Sequence, residues 1–114
     1  MVLKYTPQQM QALVSLYHKF ILTSPVVSLS EQLLQIHMIK IYQKLRNQFE
    51  GRRKKAYSIS LNEAEAVAYC TYWIYVQLPD SYELNFIRSH MVQIEHHMSE
   101  YNYHPLPTIK LLNQ

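Results

Sequence analysis

A chain of 114 residues with a single glycine, Gly51, has few places where its backbone can turn sharply. Glycine supplies the positive φ of tight hairpins and the close backbone approach of phosphate-cradling loops. One glycine excludes a G-x-G-x-x-G dinucleotide fingerprint and a P-loop, each of which needs at least two. It also disfavours a barrel built from many hairpins. What remains is helices joined by short polar turns. The length suits one domain around one small core. A composition of 48% apolar and 17% charged residues is that of a chain that folds, not of a disordered linker.

Four capping signatures divide the sequence. They are Thr6-Pro7-Gln8-Gln9, Ser28-Leu29-Ser30-Glu31, Ser60-Leu61-Asn62-Glu63 and Asp80-Ser81-Tyr82-Glu83. Each sets a short side-chain oxygen three residues before Gln or Glu, so that the two can cap the first-turn amides reciprocally. Each precedes an apolar run of helical period. Helix 1 is predicted over 7–22, with Met10, Leu13, Tyr17, Phe20 and Ile21 inward and Pro25 past its end. Helix 2 is predicted over 29–49, with Leu34, Met38, Ile41, Leu45 and Phe49 inward and Gly51 placed to stop it. Helix 3 is predicted over 61–78, stopped by Pro79, and helix 4 over 81–101. Helix 4 turns Leu84, Ile87, Met91, Ile94, Met98 and Tyr101 inward. The expected fold is all-α, a four-helix bundle with short polar turns. Tyr57 to Leu61 alternates with period two, and the stretch from Thr108 to Leu112 tolerates β structure, so one short two-stranded pairing of 57–61 with 108–112 is an open alternative to a plain lead-in to helix 3. Residues 1–103 read as one helical domain. Residues 104–114 read as a tail that His104-Pro105-Leu106-Pro107 extends and that docks on the domain or on a neighbouring subunit.

Helix 3 offers two apolar faces where a small bundle needs one. Leu61, Ala64, Val67, Ala68, Thr71, Tyr75 and Leu78 form the face read as core. Opposite them lie Ala66, Tyr69, Trp73 and Val76. Helix 2 repeats this weakly with Ile36 and Ile39 away from its core stripe. A helix apolar all round is either buried on all sides or shared with a partner. Four helices are few for covering both faces of one, and Trp and Tyr dominate binding hot spots because they bury large rigid area. Ala66, Tyr69, Trp73, Val76, Ile36 and Ile39 are therefore the expected partner interface.

Charge is unevenly spread. Residues 1–55 carry nine Lys/Arg and two Asp/Glu, net +7, and residues 56–114 carry two and six, net −4. The run Arg52, Arg53, Lys54, Lys55, followed by Tyr57 as a stacking ring, is the candidate nucleic-acid site, extended along helix 2 by Lys40, Lys44 and Arg46. The same cluster could instead meet the acidic half of a neighbouring copy and orient it. A helix-turn-helix reader is disfavoured, because helix 4 carries Glu83, Glu95 and Glu100 against Arg88.

Chemistry finds little purchase. Six histidines include His37, His90 and His97 beside core stripes and His96 paired in sequence with Glu100, but no Glu-x-x-His or His-Glu-x-x-His occurs. Cys70, the one cysteine, can form neither an internal disulfide nor a thiolate pair for zinc. No G-x-S-x-G is present, and Glu31, Glu63 and Glu83 sit at helix starts, where capping and the helix dipole account for them. No metal, cofactor or small-molecule substrate is expected, and no enzyme. The sequence has no apolar run of about 18 residues and no signal-peptide core at its start, so a cytoplasmic protein without a membrane span is expected. The expected function is a non-enzymatic protein-interaction or assembly module that self-associates, of a kind that suits a phage or mobile element. The alternative is a nucleic-acid-binding accessory protein using the basic loop.

Overall fold

The alternation of Val2 and Lys4 with Leu3 and Tyr5 makes a strand of the first residues, before any helix begins. In a computed structural model that describes residues 1–22, 25–51 and 53–100, β1 (Val2–Tyr5) pairs antiparallel with β2 (Tyr57–Ser60). The register sets Leu3 against Ile59 and Tyr5 against Tyr57, and all four side chains are buried. One more exchange lengthens the ladder: the Met1 ammonium donates to the Leu61 carbonyl at 2.9 Å, and the Leu61 N–H donates to the Met1 carbonyl at 2.8 Å. Tyr57–Ser60 is thus a strand, which its alternation left open beside a plain lead-in to helix 3. Its partner, however, is residues 2–5, which offer an inward pair to match Tyr57 and Ile59. The expected partner, 108–112, lies outside the described residues, as does the whole tail 104–114 with Tyr101.

Among the described residues there are four α-helices: α1 (Pro7–Leu16), α2 (Leu29–Phe49), α3 (Glu63–Val76) and α4 (Tyr82–Glu100). α1 packs on α2 and α4, and α3 packs on the same two. The fold is therefore a mostly α bundle of four helices with a short β ribbon. Thr6 caps α1 by accepting from the Gln9 N–H while the Gln9 side chain accepts from the Thr6 N–H, with Pro7 at the first helical position. Ser28 caps α2 through the Glu31 N–H. The cap of α3 falls two residues later than expected, because Ser60 is spent in β2. Asn62 takes its place and exchanges bonds with Glu65. In α4 Ser81, not Asp80, accepts from the Leu84 N–H.

α1 does not stop at Leu16. It widens into a π-helical stretch, Tyr17–Ile21, whose last carbonyl accepts from the Gln35 side chain of α2 at 3.2 Å. α2 ends without the left-handed glycine that its sequence suggests. Gly51 has no positive φ; a Cβ there would lie 3.2 Å from the Asn47 carbonyl oxygen, so its role is close approach to the helix end. The left-handed residue is Gln77, with φ 54°, which ends α3.

Met10, Leu13, Tyr17 and Ile21 meet Met38, Ile41 and Leu45 in the core, and Ile87 and Ile94 close it from α4. These are the predicted stripes. Phe86 of α4 joins them unannounced, and so does His90, read only as flanking the stripe, whereas Phe49 is exposed.

A candidate interaction groove on helices α2 and α3

The faces of α3 are divided differently from expectation: Leu61, Ala68 and Leu78 are buried as read, but the rest of that face is not. Ala66, Tyr69 and Trp73, read as a partner interface, are buried in the core, Trp73 to 2% exposure. Val67, Thr71 and Tyr75, read as core, face outward, Tyr75 at 74%. The physical reason is size. The two faces are similarly apolar, so hydrophobic period alone does not choose between them. The centre of the bundle needs volume, which Tyr69 and Trp73 supply and Ala64, Val67 and Thr71 do not. Trp73 meets Tyr17, Tyr69 and Tyr72 edge-on, with ring centroids 6.1, 6.4 and 5.1 Å away.

An ion pair between a buried carboxylate and a partly exposed ammonium ties down the start of α3. Glu65, 2% exposed, receives the Lys44 ammonium from α2 at 2.6 Å, and Lys44 also donates to the Ser60 carbonyl at 2.8 Å. Burial pushes the Glu65 carboxyl up. The Lys44 hydrogen bond and charge, with the Asn62 N–H, outweigh it and leave it below its ordinary value. The pair ties α2, the end of β2 and the start of α3 together.

The outward face of α3 is half of an apolar groove of about 1120 Å³. The N-terminal half of α2 forms the other wall with Leu33, Leu34 and His37, and residues 25–27 close one end. Phe20 and Ile21 of the π-helical stretch line the same end, and Met98 of α4 reaches in. Val27 is 82% exposed and Leu33 59%. Such exposure of neighbouring aliphatic side chains is uncommon on a protein with no partner. Among the described residues, the charged ones lining the groove are Glu31 and Glu63, with no Lys or Arg. The Glu31 carboxylate accepts from the Val27 N–H at 3.1 Å, which pins residues 25–27 to the start of α2. Val76 lines the groove, half-buried. Ile36 is exposed and Ile39 half-buried against the core, and neither is a lining residue.

The basic cluster is smaller in space than in sequence. Lys44 is spent on Glu65, and Arg46 pairs with Glu50 and lies over the Tyr42 ring. Arg53, Lys54 and Lys55 are exposed, Lys54 donating to the Gln48 side chain at 3.4 Å. Arg52 lies outside the described residues. Tyr57, expected to stack a base, is buried, because its strand register turns it inward beside Tyr5.

Among the described residues, no three His, Cys, Asp or Glu side chains converge as a metal site would require. Burial, and to a lesser degree the Glu95 charge, push the Cys70 thiol up to about 11, which leaves it a poor nucleophile at neutral pH. His90 is buried, its Nε2–H donating to the Lys4 carbonyl at 2.8 Å and its ring 4.4 Å from that of Tyr5. Nδ1 of His37, in the groove wall, is buried and meets no hydrogen-bond partner among the described residues. His37 and His97 are half-buried, and the expected partner of His96, the Glu100 side chain, lies outside the described residues. No described helix is long and apolar enough to cross a membrane. The chain matches no protein-family model, no curated protein and no solved structure.

Proposed function

We propose that this protein is a non-enzymatic interaction module that self-associates through the α2–α3 groove. The carrying observation is the groove itself: an outward face of α3 and a facing wall of α2, both largely apolar and both open to solvent. Burying such surfaces against a second copy removes apolar area from water, the main driving force of association. The uneven charge favours a second copy as partner. The groove edge is acidic, while Lys40 and the 53–55 loop present exposed cations that a neighbour's acidic edge would attract.

The test is molar mass in solution by light scattering at low and high salt. A dimer or larger species that survives high salt is expected, since apolar contacts resist screening. A double variant, Val67→Glu with Tyr75→Glu, should return it to monomer with its helix content unchanged, because both residues are exposed. A wild-type monomer at both salts, at concentrations up to the millimolar range, would overturn the proposal.

The alternative reading, a nucleic-acid-binding accessory protein, rests on the exposed run Arg53, Lys54 and Lys55. It predicts binding that weakens steeply with salt and disappears when these three and Arg52 are neutralised.

A further inference from the structure

We infer that the occupant of the groove is the segment 101–114 of a second copy, so that copies assemble by exchanging C-terminal segments. This rests on the self-association proposed above and names what seats in the groove.

The groove has a direction. α4 follows α3 after a short connection and packs back along it, so that Met98 comes to lie with Glu63 and Ala64 at one end of the groove. Tyr75 and Val26 lie at the other end. The chain leaving α4 at Glu100 is therefore aimed out of the molecule, away from the groove's length. Returning to its own groove would take a reversal within the first few residues of the segment. The sequence leaves only residues 101–104 for that reversal before Pro105 and Pro107, and a residue that precedes proline disfavours the helical backbone of a turn. A segment that leaves one molecule in this direction meets the groove of a neighbour, which is the geometry of segment exchange.

Length and chemistry agree. Fourteen extended residues reach about 46 Å. From Ala64 to Tyr75 the groove wall follows α3 for about 17 Å. The segment carries Leu106, Ile109, Leu111 and Leu112 for an aliphatic groove. Its sequence has Lys110 and His104 and no Asp or Glu. The groove supplies that charge through Glu31 and Glu63. The prolines also lower the ordering cost of docking.

The experiment mixes 15N-labelled wild-type chain with unlabelled full-length chain carrying a nitroxide at Asn113→Cys in a Cys70→Ala background. The amide signals of Val67, Thr71 and Tyr75 should lose at least half their intensity on mixing and recover when ascorbate quenches the nitroxide. Adding Leu111→Asp to the nitroxide chain should remove most of the loss. Loss seen only when nitroxide and 15N share one chain means that the segment binds its own groove, and the exchange is overturned. No loss in either arrangement, with light scattering still reporting an oligomer, overturns the exchange and leaves self-association standing. No loss and a monomeric mass overturn both.

Discussion

Gln77 holds the left-handed conformation that a glycine would adopt without strain. A side chain with a Cβ pays on the order of 1 kcal/mol there. Glycine recovers that strain and gives back part of it as extra freedom in the unfolded chain. Gln77→Gly should therefore stabilise the protein by about 0.5 kcal/mol, read as a higher urea midpoint at an unchanged slope. Glu65 is the residue with most to lose. Its carboxylate is buried, and its one cationic hydrogen-bond partner among the described residues is Lys44, 41% exposed. Lys44→Met keeps the aliphatic stem but leaves the carboxylate with the Asn62 N–H alone. The loss should be about 1–2 kcal/mol, moderated by the solvent that already reaches Lys44. The signature lies in pH. A carboxyl held low in the fold contributes stability above its unfolded value, and the contribution fades as pH falls through the folded value. The difference between wild type and Lys44→Met should accordingly shrink in acid below pH ~4.5.

At the scale of elements, α3 shows what a sequence can and cannot disclose. Its existence was legible from capping and period, and so were the other three helices, because Thr6, Ser28 and Pro79 punctuate the chain whatever surrounds them. The rotation of α3 was not. It depends on which face fits a cavity shaped by Tyr17, Ile41 and Ile87, and that shape exists only once the helices have assembled. The groove was hidden by the same error, since Val67 and Tyr75 read as core. β1 was missed because four residues of alternation are too few to separate from chance. The corrected rotation reverses the expected mutational pattern. Trp73→Ala should cost about 3–5 kcal/mol by opening a cavity in the core, and circular dichroism during thermal melting reports it. Val67→Glu should change stability by no more than about 0.5 kcal/mol while weakening self-association. If Trp73→Ala melts like wild type, α3 is turned the other way.

For the whole molecule, the long-range closure runs through β1. It pairs with β2 across more than fifty residues of chain, and its Lys4 carbonyl accepts from His90 of α4, 86 residues away. One histidine thereby links the first strand to the last helix, wedged between Tyr5 and Phe86. Burial pulls its pKa down, and the Lys4 hydrogen bond only partly opposes this. The sign follows. Unfolded, His90 takes a proton as pH falls through ~6.5. Folded, it resists until lower pH, because the charged ring would be buried. Over that interval the unfolded chain binds more protons, so stability falls as pH drops and is fully regained above pH ~7. Below the folded value the loss levels off. His90→Gln keeps a side-chain N–H for the Lys4 carbonyl and has nothing to titrate. It should lower stability at pH 7.5 through poorer packing and flatten the slope between pH 7 and 5, measured by urea denaturation across that range. Because the ribbon, α1 and α4 meet at this contact, the acid-weakened protein should lose amide protection first in β1 and β2, while the α2–α3 pair, held by Glu65 and Lys44, keeps its protection until the carboxylate itself titrates. Hydrogen exchange at pH 5 that weakened α2 and α3 before the ribbon would show that the closure lies elsewhere.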